Sequence, residues 1–367
     1  MAQAELVERA KELVEQLSRT SRFAGSPEEA AACAVCRTEL ERAGFVCTER
    51  PFEYSEWPGR WGPPIAAATQ TATIFVVART AMHQGPLAAL IVGGVLFIGL
   101  LLASGDAKRR WISVFPFQRA KSANLEARRG NPSVWLIAHL DSKSQTVPML
   151  IRIASSIALG LTAVATAAAV LLSLVGVVTG SSIWPWLELA AIIAALPSIL
   201  CWVGNESNGA VDNASGVAAV LLAAQSASSA TALGVLITSG EELGLAGSRI
   251  WAARAQPGII ALNCDTVDDV GGWHCMYSGT KPKRIGAAVE TVAGSAGFKV
   301  AVGRLIPGIM ADSMAFSDRG IEAVTVSRGS LSTLARVHTR RDTSTALTGS
   351  GVAQASALLT ALAKELA

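Results

Sequence analysis

Charge is what this 367-residue chain has least of: Asp, Glu, Lys and Arg make up 16% of it, against roughly 25% in an ordinary soluble protein. The net charge is only +3, and no basic run is interleaved with aromatics. A groove that tracks phosphates is therefore excluded, and with it nucleic acid as a partner. Cysteines are few and scattered, at 33, 36, 47, 201, 264 and 275, so no dense disulfide framework is expected. Cys33 and Cys36 have CxxC spacing, but they lie in a helical pattern with no second pair, which excludes a four-thiolate zinc site. Reduced, packed thiols are expected. Met1 to Arg22 carries charges throughout and lacks an apolar core segment, so no cleavable secretory signal is expected. Instead, Leu6, Ala10, Leu13 and Leu17 fall at helical spacing and predict an amphipathic helix.

What replaces charge is apolar side chains, 51% of the chain, and they are concentrated. Pro86 to Ser104 is an uncharged stretch of 19 residues, enough to cross a hydrocarbon core of about 30 Å. Ile153 to Leu187 is 35 residues without a charge, broken at Thr179-Gly180-Ser181-Ser182 and Pro185, with apolar character resuming to Trp202. This predicts two helices, about 153–178 and 184–203, with Glu188 near one end, where its carboxylate can reach the interface. Pro63 to Met82 is a weaker helix, diluted by Thr69, Gln70, Thr71, Thr73 and Arg79. Hiding a 35-residue uncharged run inside a soluble core is costly, so these stretches read as membrane spans.

The rest has the pattern of an α/β protein. Ser133–Ala138, Ala232–Thr238, Gly258–Asn263 and Ile321–Ser327 are short continuous apolar runs, as in strands buried on both faces. Helical patterns separate them at Ala214–Ser228, Ala246–Ala255, Arg284–Ala296 and Gly351–Leu366. Alternation of this kind predicts a doubly wound, mostly parallel sheet with helices on both faces. The expected organisation is one α/β domain assembled from 1–60, 106–147 and 205–367. It is interrupted by transmembrane hairpins at 61–105 and 148–204.

Metal-binding side chains appear just beyond the strand runs, where sites form in open α/β sheets. His139 and Asp141 follow the first run, Glu241 and Glu242 the second, and Asp265 the third. Asp212 opens a helix within Asn208–Gly216, and His338 lies in a loop. Singly, each is more often a polar pair, a solvated turn or a helix cap. Together, five fall in order at one edge of the sheet, and they include two of the chain's four histidines. Two imidazoles and three carboxylates suit zinc, and two metals about 3.5–4 Å apart need a shared carboxylate. Asp141 is placed to accept the free imidazole N–H of His139 and fix its tautomer. One of Glu241 and Glu242 can bind metal while its neighbour acts as general base.

The stretches AHLDS (138–142), NGAVDNASG (208–216), SGEELGLAGS (239–248), NCD (263–265), ADSMAFSDRGIEA (311–323) and HTRRDT (338–343) resemble peptidase family twenty-eight. These are the co-catalytic di-zinc aminopeptidases, with carboxypeptidases and glutaminyl cyclases as relatives. The likeness covers about 5–60 and 120–367 and omits the apolar insertions. It implies a di-zinc aminopeptidase fold and two Zn2+ per chain, one held by His139 and Asp265, the other by Glu242 and His338, with Asp212 bridging. It further implies Glu241 as catalytic base, Asp141 in support, a cis bond after Asp212, Asp342 orienting the loop of His338, and peptides as substrates. The chain departs from the family in carrying Ala311-Asp312-Ser313 where a histidine is usual before the late Phe316. It also departs in placing His139 and Asp212 73 positions apart.

Because His139 and Asp212 must meet, the chain between them has to cross the membrane an even number of times. The same reasoning pairs Pro63–Met82 with Pro86–Ser104, giving four crossings and lipid as a partner. Lys108, Arg109, Arg110, Arg119, Lys121 and Arg152 flank one side of these spans, which predicts a cytoplasm-facing catalytic domain. A carboxypeptidase or cyclase, and a non-catalytic receptor or scaffold on the same fold, are the alternatives. A transporter is disfavoured because the hairpins show no buried charge pair near mid-membrane.

Overall fold

The computed structural model describes residues 3–104, 115–178, 180–296, 299–306 and 308–367. The chain divides into two compact units: Met1–Glu56, Gln118–Ser144 and Gly204–Ala367 form one, Trp57–Phe117 and Gln145–Val203 the other.

The first unit is built on an eight-stranded sheet whose strands are β1 (Val46–Ser55), β2 (Arg119–Arg129), β3 (Val134–His139), β4 (Leu233–Thr238), β5 (Ile260–Val267), β6 (Gly272–Tyr277), β7 (Val300–Arg304) and β8 (Glu322–Gly329). Their order is β1-β2-β4-β3-β5-β8-β6-β7. The four central strands β4, β3, β5 and β8 run parallel, while β1, β2 and β6 join antiparallel. Every residue of β3 and β4 is buried, which is why these strands read as unbroken apolar runs. The outer strands were not predicted. Their sequences mix charge and apolar residues, and β1 contains Pro51, as edge strands tolerate; continuous hydrophobicity does not detect them.

Helices cover both faces of this sheet. Helices α1 (Gln3–Leu17) and α2 (Pro27–Arg42) precede it. After the second unit come α7 (Ser215–Ser226), α8 (Ala246–Ala252), α9 (Lys283–Ala296), α10 (Ser313–Ser317), α11 (Leu331–Arg336) and α12 (Ser350–Leu366). Helices α7 and α12 pack on β3 and β5. On the opposite face Trp135, Ile137, Leu236 and Ala261 pack with Trp251 of α8 and Phe316 of α10. All six cysteines are free.

The second unit consists of α3 (Trp57–Gln84), α4 (Pro86–Ser104), α5 (Met149–Leu174) and α6 (Ile183–Ile199). Helix α3 starts at Trp57, ahead of the expected Pro63, and α5 starts at Met149 and ends at Leu174 rather than covering 153–178. Hydropathy marks apolar composition, whereas helical backbone continues through polar flanks and stops at the Val175-Gly176 turn. Among the described residues, α3 with 28 residues and α5 with 26 are long and apolar enough to span a membrane. Helix α6 and the Pro86–Gly99 part of α4 are apolar but shorter. The basic residues Lys108, Arg109 and Arg110 lie outside the described residues.

Glu188 of α6 does not reach out alone; it is buried and forms a two-pronged ion pair with Arg79 of α3, Nε to Oε1 at 2.6 Å and Nη2 to Oε2 at 2.7 Å. The two residues are 109 positions apart, and each lies near the hairpin-turn end of its helix. Helix pairing brings the exposed Arg79 against the buried Glu188 carboxylate, a pair that neither segment shows by itself.

Candidate metal centre

The central strands deliver their terminal residues to one place. His139 ends β3. Glu241 and Glu242 follow β4 after Ser239-Gly240, and Asp265 lies in β5, which continues to Val267 rather than stopping at Asn263. Asp212 sits in an irregular turn over Ala210–Ala214, ahead of α7, and its bond to Asn213 is cis. His338 follows α11 with a left-handed backbone, φ +60°.

Asp212 divides its two oxygens between the histidines. Its Oδ1 is 3.2 Å from His139 Nε2, and its Oδ2 is 3.0 Å from His338 Nε2. Asp265 Oδ1 approaches the same nitrogen of His139 at 3.6 Å, and Glu242 Oε1 approaches that of His338 at 3.0 Å. Two triads result, His139–Asp212–Asp265 and Asp212–Glu242–His338, each with its ligand atoms within 4.8 Å of one another. All five side chains are largely buried. One nitrogen and two carboxylate oxygens per triad is a donor set that zinc accepts. Among the described residues the only fixed cation ion-paired with this group is Lys143, whose Nζ donates to Glu242 Oε2 at 2.8 Å and to the Glu242 carbonyl at 2.9 Å. So many buried acids against one lysine call for added positive charge.

The supports differ from expectation in two places. The Asp141 carboxylate does not take the imidazole N–H of His139: Nδ1 lies 3.0 Å from the Asp141 backbone carbonyl and 3.7 Å from Oδ1. That carboxylate instead accepts the amides of Glu241 and Glu242, at 3.2 and 3.1 Å, since a short turn leaves the backbone oxygen nearer the ring. Asp342 likewise acts away from its own loop, accepting the amides of Val211 at 2.7 Å and Asp212 at 3.2 Å.

Three further residues shape the turn that carries Asp212. The fully buried Arg22 donates to the carbonyls of Leu140, Asn208 and Gly209 at 2.8, 2.6 and 2.9 Å, tying the end of β3 to that turn. Gly209 has φ +57°, and a Cβ there would stand 2.4 Å from the Asp212 carbonyl oxygen and 2.6 Å from Ser142 Cβ. Asn213 Oδ1 accepts from Gly216 N and Thr266 N, and its Nδ2 donates to the Cys264 carbonyl. Lys143 and Arg22 were missed by the sequence reading. Lys143 directly follows the matched AHLDS stretch and was open to notice, whereas nothing marks Arg22 along the chain.

Electrostatics separates the neighbouring glutamates. Burial raises the pKa of Glu241, reinforced by the charges of Glu242, Asp265 and Asp312 and opposed by His139. Burial also pushes Glu242 up, but His338 and Lys143 outweigh it and hold the carboxyl below the usual range. Asp212 is likewise lowered, because His139 and His338 overcome its burial. Burial depresses His139, yet Glu241, Asp141, Asp212 and Asp265 together carry it well above the usual imidazole value.

The model of peptidase family M28 matches residues 197–363. No curated protein matches the chain. Among solved structures, the aminopeptidase of Aneurinibacillus sp. strain AM-1 is similar at 13% identity and a TM-score of 0.58, covering 98% of this chain and 93% of its own. BSAP, a zinc aminopeptidase from Bacillus subtilis, is similar at 14% identity and a TM-score of 0.57, covering 97% and 94%. The glutaminyl cyclase of Fimbriiglobus ruber is similar at 16% identity and a TM-score of 0.54, covering 98% and 95%. The chain therefore has the mixed α/β fold, with its large and mostly parallel sheet, of these aminopeptidases and this glutaminyl cyclase.

Proposed function

We propose that this chain is a membrane-embedded, zinc-dependent aminopeptidase. The observation that carries the reading is Asp212, with one carboxylate oxygen facing each histidine at the junction of two three-residue ligand groups. His139 and Asp265 would hold one zinc, Glu242 and His338 the other, and Asp212 would bridge. Bound there, zinc supplies Lewis acidity toward water and the scissile carbonyl. Glu241 takes the proton of the attacking water and returns it to the leaving amine. Its proton affinity, raised by burial, suits a group that must both accept and give a proton. Asp141 positions Glu241 and Glu242 through their amides.

The packing of the second unit supports insertion in lipid. Its buried positions include Ala67, Ala78, Ala89, Ala169, Ala191 and Ala195, while Leu87, Val95, Phe97, Leu161 and Ile193 are exposed. Alanines at the helix contacts, beside the larger Ile74, Leu159, Val170 and Trp184, with large apolar side chains turned outward, suit helices packed in a bilayer. All four helices would cross, with the catalytic unit on the cytoplasmic side.

Purified protein should bind two zinc ions per chain and hydrolyse aminoacyl anilides. Glu241→Gln should retain both ions and lose roughly 10²–10⁴-fold in turnover. Turnover by Glu241→Gln equal to the parent would overturn the assignment of the base. Cyclisation of N-terminal glutamine without aminoacyl hydrolysis would replace the aminopeptidase by the second reading, a glutaminyl cyclase, which the Fimbriiglobus ruber similarity favours.

A further inference from the structure

A cavity of about 250 Å³ lies between the sheet face formed by β1, β2 and β3 and the helix α8 with the turn after it. None of the metal-centre residues lines it. Its floor is aromatic. A Cβ on Gly234 of β4 would stand 2.4 Å from Trp135 Cδ2, so glycine there is what lets the Trp135 ring lie across the neighbouring strand. Trp251 meets that ring edge-on, with centroids 4.7 Å apart. Ile250, Ile259 and Pro132 complete the apolar wall.

The polar side of the cavity is organised by one buried carboxylate, Glu126, only 4% exposed. Its Oε1 accepts from Arg128 Nε at 2.7 Å and Arg50 Nη2 at 3.2 Å. Its Oε2 accepts from Trp251 Nε1 at 2.8 Å and Arg50 Nε at 3.3 Å. Arg128 is further held with its guanidinium 5.2 Å from the Trp135 ring centre. Both terminal nitrogens of Arg128, Nη1 of Arg50 and the whole guanidinium of Arg254, another lining residue, meet no protein acceptor among the described residues. Arg50, Arg128 and Arg254 against Glu126 leave the lining with a charge of +2. Oriented guanidinium donors are suited to the paired oxygens of carboxylates and phosphates. The aromatic floor asks for an apolar body attached to them. At about 30 Å³ per water the space equals about eight waters, enough for one ring and one acidic group.

We propose that this cavity binds a small organic anion, a carboxylate or phosphate joined to an aromatic or apolar group, independently of the metal centre. The anionic head would sit among Arg50, Arg128 and Arg254, and the body over Trp135 and Trp251. The test is calorimetric titration of the metal-loaded full-length chain with phenylacetate, phenyl phosphate and the neutral phenylacetamide. One or both anions should bind, and the stronger of the two identifies the head group. Phenylacetamide should bind at least tenfold more weakly. Arg254→Gln, at an exposed site where the fold is not at risk, should weaken the anion severalfold, and the double variant Arg128→Gln/Arg254→Gln at least tenfold. Chelation of the metals should leave the affinity unchanged. The proposal is overturned if no anion binds, if the amide binds as well as the acid, if Arg254→Gln binds like the parent, or if chelation abolishes binding.

Discussion

Glu29 offers a sharp test of how burial governs this protein. It stands in the first turn of α2, where its amide donates to Ser26 Oγ at 3.1 Å and its Oε2 accepts from Gly25 N at 2.6 Å and Ser122 Oγ at 3.2 Å. The other oxygen, Oε1, is buried without a hydrogen-bond partner, and the residue is 4% exposed. Burial, with the Asp141 charge adding to it, pushes the carboxyl from 4.5 up to about 8. Below about pH 4.5 the folded and unfolded chains are both protonated at this position, so it contributes no pH dependence. Between about 4.5 and 8 the unfolded chain releases the proton and the folded chain keeps it, so stability falls as pH rises. Above 8 both are ionised and the loss is complete. Each unit in that window is worth about 1.4 kcal/mol, and each kcal/mol about 2–4 °C in Tm for a domain of this size. Glu29→Gln keeps the accepting oxygen and removes the titration. Its Tm should therefore rise relative to the parent by on the order of 5–10 °C between pH 5 and pH 7, and the gap should level off above pH 8. Thermal melts of both proteins in one detergent across pH 5–9 measure this directly. A gap that stays constant from pH 5 to 8 would show Glu29 ionised in the folded protein and refute the argument.

Three further outcomes are expected. Asp342→Ala strips the acceptor from two buried amides, at about 1–3 kcal/mol for each group left unsatisfied; zinc titration should show weakened binding at both triads, because Asp212 belongs to both. Gly209→Ala puts a methyl group against the Asp212 carbonyl in a backbone region that disfavours it, costing about 1–3 kcal/mol. The variant should melt lower and lose metal, as denaturation and metal analysis will show. Arg79→Ala leaves Glu188 buried without its partner and should lower the Tm in detergent or lipid more than Arg79→Leu/Glu188→Leu does; equal losses would mean the pair does not hold the helices together.

Much of the first unit was legible along the chain because its central strands are buried on both faces and so appear as unbroken apolar runs. Three of the candidate ligands, His139, Glu242 and Asp265, could be found for a related reason, since they stand at or just beyond the ends of those runs. The outer strands could not be found that way. Their sequences carry charge among the apolar residues, and their pairing, β1 with β2 and β2 with β4, depends on residues far away in sequence.

Local chemistry therefore determined the lengths of the apolar stretches, the parallel core of the sheet, and the identity and order of His139, Asp212, Glu242, Asp265 and His338. Tertiary structure alone decided which group each side chain faces: Asp141 the amides of Glu241 and Glu242, Asp342 those of Val211 and Asp212, Arg79 the carboxylate of Glu188. Composition and periodicity report whether a residue is to be buried. A hydrogen bond or ion pair also requires direction and a distance near 3 Å, and between residues a hundred positions apart only the folded chain supplies these.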